Sequence, residues 1–399
     1  MRGQSPKKYN SVQMLEKLVS FDTTSWRSNL ELIDFVADYL GRYDIPFRIF
    51  YDEEQAKANL FATIGPADQA GIILSGHTDV VPVDGQTWAT DPFSLTSGEN
   101  DEGKGRLYGR GTSDMKGFIA CALAMVPAFL SRPLSEPLHL ALSYDEEVGC
   151  TGVHSLVDYV AERSPRPRAC IVGEPTSMKV VNAHKGICAF HTSLSGREAH
   201  SSTDRGVNAL HYGAEIVAFL SGLADEYRQN ADENSSFVPP YTTVHVGRMT
   251  GGVAVNITPS SCEFDWEYRC LPGMPEREIS DRVEAFIDQN IRPRMNRDGE
   301  GIFDVTTEQV AYVPPLVAQT GSSAETLVLA LAGRNETEVV SYGTEAGIFQ
   351  ENGGVPTVVC GPGSIQQAHR PNEYIEQSQL QVCDDFLQRL CDVMQEQEN

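Results

Sequence analysis

The sequence predicts an α/β protein: a mainly parallel sheet with helices on both faces, interrupted by a smaller α+β domain. Three observations carry this. Continuous apolar runs such as GIILSG (71–76) and LHLALSY (138–144) alternate with helical patterns, as in sheets buried on both faces. From residue 184 the pattern changes to longer, alternating strands around two helices, and near residue 310 the strand–helix alternation returns. The 399 residues also exceed what one hydrophobic core usually supports. The expected division is a discontinuous larger domain, 1–183 with 310–399, and an insert at 184–309.

Each element follows from local pattern. Val12, Leu15, Leu18 and Val19, then Ile33, Val36, Tyr39 and Leu40, repeat at helical spacing, so helices are expected at 12–19 and 30–40. NLFATIG (59–65) and GIILSG read as strands, and a helix should follow GTSDMKG through FIACALAMVPAFL (118–130). After LHLALSY come a helix near 153–163 and strands at ACIVG (169–173) and KVVNA (179–183). The insert should hold strands at 187–196, 241–249 and 261–270, with helices near 206–221 and 276–290. A helix at 323–332, strands EVVSYG (338–343) and PTVVCG (356–361), and a final helix from about 376 complete the first domain.

Charge narrows the function classes. Asp and Glu number 55 against 31 Lys and Arg, a net charge of −24, which repels phosphate backbones and anionic membranes. Neither nucleic acid nor membrane is an expected partner. The basic start lacks an apolar core of secretory length and no run of eighteen apolar residues occurs, so a soluble cytoplasmic protein is expected. Nine cysteines without CxxC spacing fit reduced thiols. GENDEGKG (98–105) has phosphate-loop spacing but ends in Gly105 where Ser or Thr is required.

In open α/β sheets ligands bind beyond the carboxyl ends of the strands, so the residues that follow each apolar run are the informative ones. Here they are His77 and Asp79, Asp114, the run Asp145, Glu146 and Glu147, then Glu174, and His369. So many carboxylates at one edge would repel one another unless cations held them. Two imidazoles and several carboxylates suit zinc, and two ions sharing one carboxylate would use the whole set. His77 is then a ligand, and Asp79 the carboxylate that orients its imidazole. Singly, each residue has an ordinary explanation, as a helix cap, a turn residue or a solvated charge.

The chain resembles the two-zinc aminoacylase, deacetylase and carboxypeptidase family. The matching stretches include GHTDVVPVDGQTWATDPFSL, LYGRGTSDMKG, DEEVGCTG, GEPTSMKVVNAHKG, GREAHSSTDRGVNA, GGVAVNITP, YRCLPGM, YGTEAGIFQ and GPGSIQQAHRPNEY, in the family's order from about residue 70 to 376. The resemblance implies two Zn2+ ions, with Co2+ or Mn2+ as substitutes. His77 and Glu174 would hold one, Glu147 and His369 the other, and Asp114 would bridge them. It implies Glu146 as general base, Asp79 behind His77, and His200 as an oxyanion donor reaching across a homodimer. Asn256, Arg269 and Thr344 would bind substrate, and 184–309 would serve dimerisation and closure as a lid. The activity implied is hydrolysis of a small N-acyl amino acid; the rivals are another deacylase or a dipeptidase, or a metal-stabilised binding protein without turnover.

Overall fold

The computed structural model describes residues 7–100, 102–297 and 302–395. Part of the basic start (1–6) and Asp101 of the GENDEGKG stretch lie outside them. In chain order the strands are β1 (Phe47–Tyr51), β2 (Ala58–Ile64), β3 (Ile72–His77), β4 (Thr96–Glu99), β5 (Gly105–Tyr108), β6 (Leu138–Ser143), β7 (Ala169–Pro175), β8 (Val181–His184), β9 (Gly186–Ser195), β10 (Thr243–Gly251), β11 (Ser261–Cys270), β12 (Val305–Val313), β13 (Glu338–Val340), β14 (Thr357–Gly361) and β15 (Tyr374–Glu376).

The chain forms two compact units. The first comprises 1–183, 318–338 and 344–399, and the second comprises 184–317 and 339–343. The second continues beyond residue 310 because β12 stays hydrogen-bonded to β9 as far as Val313 opposite Ile187.

The large sheet has the order β1-β2-β6-β3-β7-β14-β8-β13. Its centre is parallel: β3 lies between β6 and β7, with His77 opposite Ser143 and Ile72 opposite Ala169, and β14 runs parallel to β7. Its margins are antiparallel, β1 on β2 and β2 on β6. The central strands are buried throughout, as their unbroken apolar runs require. Three neighbouring parallel strands therefore end side by side at His77, at Ser143 just before the Asp145–Glu147 run, and at Glu174.

Helices cover this sheet for legible reasons. The helix Ser11–Val19 starts at a reciprocal cap: Asn10 Oδ1 accepts the Gln13 amide at 2.8 Å and Gln13 Oε1 accepts the Asn10 amide at 3.2 Å. It buries Met14, Leu15, Leu18 and Val19. The helix Lys116–Ala124, apolar almost all round, is buried from Lys116 to Leu123. It stops near Met125, ahead of Pro127, and a short turn of helix, Val126–Phe129, follows where one continuous helix was expected. Phe118 of this helix lies so near β7 that a Cβ on Gly173 would meet its ring at 2.0 Å, so only glycine fits immediately before Glu174.

The second unit has its own core. Its sheet, β10-β11-β9-β12, is wholly antiparallel, with Phe190 stacked on Trp266 at 4.3 Å between centroids. The helix Ala209–Gln229 begins where Asn208 accepts the His211 amide, later than expected, and runs longer. The helix Glu278–Phe286 passes through a π turn, Ile287–Ile291, into Arg292–Met295; Pro293 has no amide hydrogen to continue the regular ladder. All nine cysteines are buried and free. Among the described residues no helix is long and apolar enough to cross a membrane.

Candidate metal centre

The first unit brings His77, Asp114, Glu146, Glu147, Glu174 and His369 together. His77, fully buried, places Nδ1 2.9 Å from the Asp79 carbonyl oxygen. That contact fits a proton on Nδ1 and leaves Nε2 to face carboxylates: Asp114 Oδ1 at 3.2 Å, Glu174 Oε1 at 3.6 Å and Glu146 Oε2 at 4.0 Å. On the other side His369 Nε2 is 2.9 Å from Glu147 Oε2 and 3.3 Å from Asp114 Oδ2. The two oxygens of Asp114 thus point at the two imidazoles, one each. The Asp114–Met115 peptide is cis.

Asp79 does more than stand behind His77. Its carboxylate is 3.6 Å from His77 Nδ1, farther than its carbonyl, and accepts the amides of Glu146 and Glu147 at 3.1 and 3.2 Å and the Ser25 hydroxyl at 2.9 Å. Asp145 faces elsewhere: both its oxygens accept from Lys57 Nζ, at 2.6 and 2.8 Å, and Lys57 donates again to the Ser25 carbonyl. Of the three consecutive acids, the first anchors the loop and the next two reach the centre. Glu146 and Glu147 point differently, as adjacent residues must, yet each has an oxygen grouped with His77: Glu146 together with Glu174, Glu147 together with Asp114.

The electrostatics show strain between like charges. Burial, then the charge of Asp114, pushes Glu147 up to about 7. Burial also drives Glu146 and Glu174 well above the carboxylate range, with neighbouring acids adding to it. Hydrogen bonds to Asp114 and Glu147 push His369 up to about 10. For His77 burial acts to lower the pKa, but the contacts with Asp114 and Asp79 outweigh it and the net shift is well upward. Glu174 Oε1 is buried without a hydrogen-bond partner among the described residues. An orphaned carboxylate oxygen inside four acids and two imidazoles is the environment that divalent cations relieve. The donor set, imidazole nitrogen and carboxylate oxygen, is one zinc accepts.

Two further residues brace the centre, and the strand-end rule did not find them. Arg110 and Glu373 form a buried pair at 2.8 Å, and Glu373 also accepts the amides of Gly111, Ser113 and Asp114 at 2.9, 2.8 and 3.1 Å. Glu373 sits in HRPNEY, four residues after His369, without an apolar run before it to mark it.

The remaining residues singled out from sequence are locally engaged. In the second unit His200 is exposed, its Nδ1 2.8 Å from Ser202 Oγ. A β-bridge joins His200 to Ile257, and the exposed Asn256 accepts the Ser201 amide through its carbonyl at 3.0 Å. These two are neighbours. Arg269 on β11 makes a two-pronged pair with Glu267, at 2.8 and 3.1 Å. In the first unit Thr344 is buried, and its hydroxyl accepts the Ala346 amide at the start of the helix Ala346–Glu351.

A mixed α/β sheet carrying this cluster at its strand ends defines a metallohydrolase-type centre. The chain belongs to peptidase family M20/M25/M40, which residues 73–392 match. It is 39% identical to the acetylornithine deacetylase of Myxococcus xanthus, over 94% of this chain and 95% of that protein. In fold it resembles a tripeptidase from Staphylococcus aureus, with a TM-score of 0.71, 18% identity and coverage of 98% and 99% of the two chains. It also resembles a Bacillus subtilis protein described as a dinuclear metal-binding peptidase of the M20 family, with a TM-score of 0.60, 14% identity and coverage of 96% and 97%.

Proposed function

We propose that the protein is a metal-dependent amide hydrolase that converts N2-acetyl-L-ornithine and water to L-ornithine and acetate, a step of arginine biosynthesis. It works in the cytoplasm as a homodimer, the second unit serving as dimerisation and lid domain. The observation that supports the chemistry is Asp114, whose two oxygens face His77 and His369 separately, with Glu174 near the first imidazole and Glu147 near the second. The substrate is supported by the likeness to the Myxococcus xanthus acetylornithine deacetylase along nearly the whole chain.

Two Zn2+ ions, or Co2+ or Mn2+ in their place, would lower the pKa of water and polarise the amide carbonyl. The chain's own residues do the rest. Glu146, held by the Asp79 clamp on its amide, takes a proton from water as the new C–O bond forms and passes it to the nitrogen as the C–N bond breaks. His200 of the partner subunit donates to the developing oxyanion, a contact commonly worth a few kcal/mol. Arg269 grips the α-carboxylate with its planar fork, and Asn256 and Thr344 are further substrate-binding residues.

The direct test is kcat/KM of metal-reconstituted protein on N2-acetyl-L-ornithine, with N-succinyl-L,L-diaminopimelate alongside. A value above about 10⁴ per molar per second, ordinary for enzymes on their own substrates, with little turnover of the succinyl compound, is expected. Turnover of the succinyl compound instead moves the protein to desuccinylase chemistry, and activity that survives a chelator refutes the metal reading. Mixing His200→Ala with Glu146→Ala subunits should restore activity, since one composite site is then intact; no recovery refutes the trans role.

A further inference from the structure

The reaction above makes no use of Arg110, Glu373 or Gln86, yet the first two are charged side chains only 1% exposed. Removing a guanidinium and a carboxylate from water is expensive, and an apolar pair of similar size commonly serves stability as well or better. A pair buried at such a cost can serve to specify geometry.

The contacts say which geometry. All the acceptor capacity of the Glu373 carboxylate turns toward one loop: Oε2 accepts from Arg110 Nη1 and the Gly111 amide, Oε1 from the amides of Ser113 and Asp114. That loop needs a close turn; Gly111 has φ +80° and a Cβ there would stand 2.7 Å from Val80. Arg110 then reaches outward. Its Nη1 donates to the Arg370 carbonyl at 3.3 Å and its Nη2 to Gln86 Oε1 at 2.7 Å, while Gln86 Nε2 donates to the His369 carbonyl at 3.3 Å. Trp88 Nε1 donates to the same Gln86 oxygen at 3.1 Å, and Asn372 Oδ1 accepts the Ala89 amide at 2.7 Å. Three loops far apart in sequence, 82–89, 109–114 and 369–373, are tied by one network. His369 is half exposed and has φ +62°, so its own surroundings fix it less than those of the buried His77.

We propose that Arg110, Glu373 and Gln86 are positioning residues that set the distance between Asp114 and His369, and so govern the second metal position more than the first, in which Asp114 also takes part. This rests on the reading of Asp114, Glu147 and His369 as ligands. Outer partners of this kind typically alter metal affinity by about 10- to 100-fold.

The test is stepwise titration of metal-free full-length protein with Co2+, followed by calorimetry and by the cobalt visible spectrum, for the parent, Glu373→Gln and Gln86→Ala. The parent should take up two equivalents. Gln86→Ala should bind the first as the parent does and the second about 10- to 100-fold more weakly, with an altered spectrum for the second step only, while Glu373→Gln, which also loosens the shared Asp114, should weaken the second step by more than the first. Should Glu373→Gln fail to fold, Gln86→Ala decides alone, because Gln86 is only partly buried. Two equivalents bound within two-fold of the parent with an unchanged spectrum overturn the proposal. So does equal weakening of both steps, which general loosening of the fold would give. A parent that takes fewer than two equivalents overturns the ligand assignment itself, and this inference with it.

Discussion

Two arginine–carboxylate pairs, Arg110 with Glu373 and Arg269 with Glu267, each close at 2.8 Å, yet they do opposite things in the molecule. The first pair is 1% exposed on each side, and its carboxylate is saturated by backbone amides of the loop it holds. The second is 31% exposed on each side and joins residues two apart on β11, which share one face of the strand. Breaking the buried pair strands a charge away from water and costs about 3–5 kcal/mol. Breaking the exposed one costs about 0–1 kcal/mol, since water replaces what is lost. A guanidinium needed to frame a metal centre belongs in the first setting. One that exchanges an internal carboxylate for that of a substrate belongs in the second, where release is cheap.

If that division holds, variants in the two units should separate rate from binding. The largest effect is expected at Glu146. Glu146→Gln keeps the shape and the amide clamp but removes the proton acceptor, so kcat should fall about 10²- to 10⁴-fold with metal content unchanged. A kcat within a few-fold of the parent would remove Glu146 from the chemistry and favour a binding protein. Next come the pairs themselves, read by urea unfolding. Glu373→Ala should lose about 3–5 kcal/mol and Arg269→Ala less than about 1 kcal/mol. Equal losses would erase the distinction between frame and exchangeable grip. In kinetics the order should reverse: Arg269→Ala, losing two charge-assisted hydrogen bonds to the substrate carboxylate, should raise KM about 10- to 100-fold and leave kcat within a few-fold. A KM that does not move refutes the grip.

The same contrast explains what sequence could disclose. His77, Asp114, Glu146, Glu147 and Glu174 were legible because an apolar strand or a buried helix stands beside each, and a charge at such a boundary is conspicuous. The central strands and the helices Ser11–Val19 and Ser323–Ala332 were legible for a related reason, that burial writes its period into the residues. Glu373 was not, because it lies in a loop whose burial comes from tertiary contacts with Arg110 and the Gly111–Asp114 amides. Nor could periodicity reveal that Asp145 turns to Lys57 while its two neighbours reach the centre, a matter of backbone conformation at Asp145, where φ is +55°. His200, Asn256 and Arg269 carry no burial signal at all; only resemblance to a family picks them out. In the second unit the helix Ala209–Gln229 starts later than its apolar stripe suggests because Asn208 caps it locally, and both this helix and the helical path from Glu278 through Pro293 to Met295 run on past the ends the stripes mark.

The smallest expected effect is the sharpest test of exchange at Arg269. If Glu267 competes with the substrate carboxylate for one guanidinium, weakening the competitor should help binding. Glu267→Gln replaces the ion pair with at most a hydrogen bond from the guanidinium to an uncharged amide oxygen, and leaves the strand face occupied by a side chain of the same size. Since an exposed pair of this kind is worth about 0.2–1 kcal/mol, KM should fall by no more than about five-fold, with kcat unchanged. The sign carries the information, because Arg269→Ala and Glu267→Gln break the same pair and yet should move KM in opposite directions. Should Glu267→Gln raise KM instead, Glu267 would be orienting Arg269 toward the substrate, and the pair would be a fixed element of the pocket, closer in kind to Arg110–Glu373 than its exposure suggests.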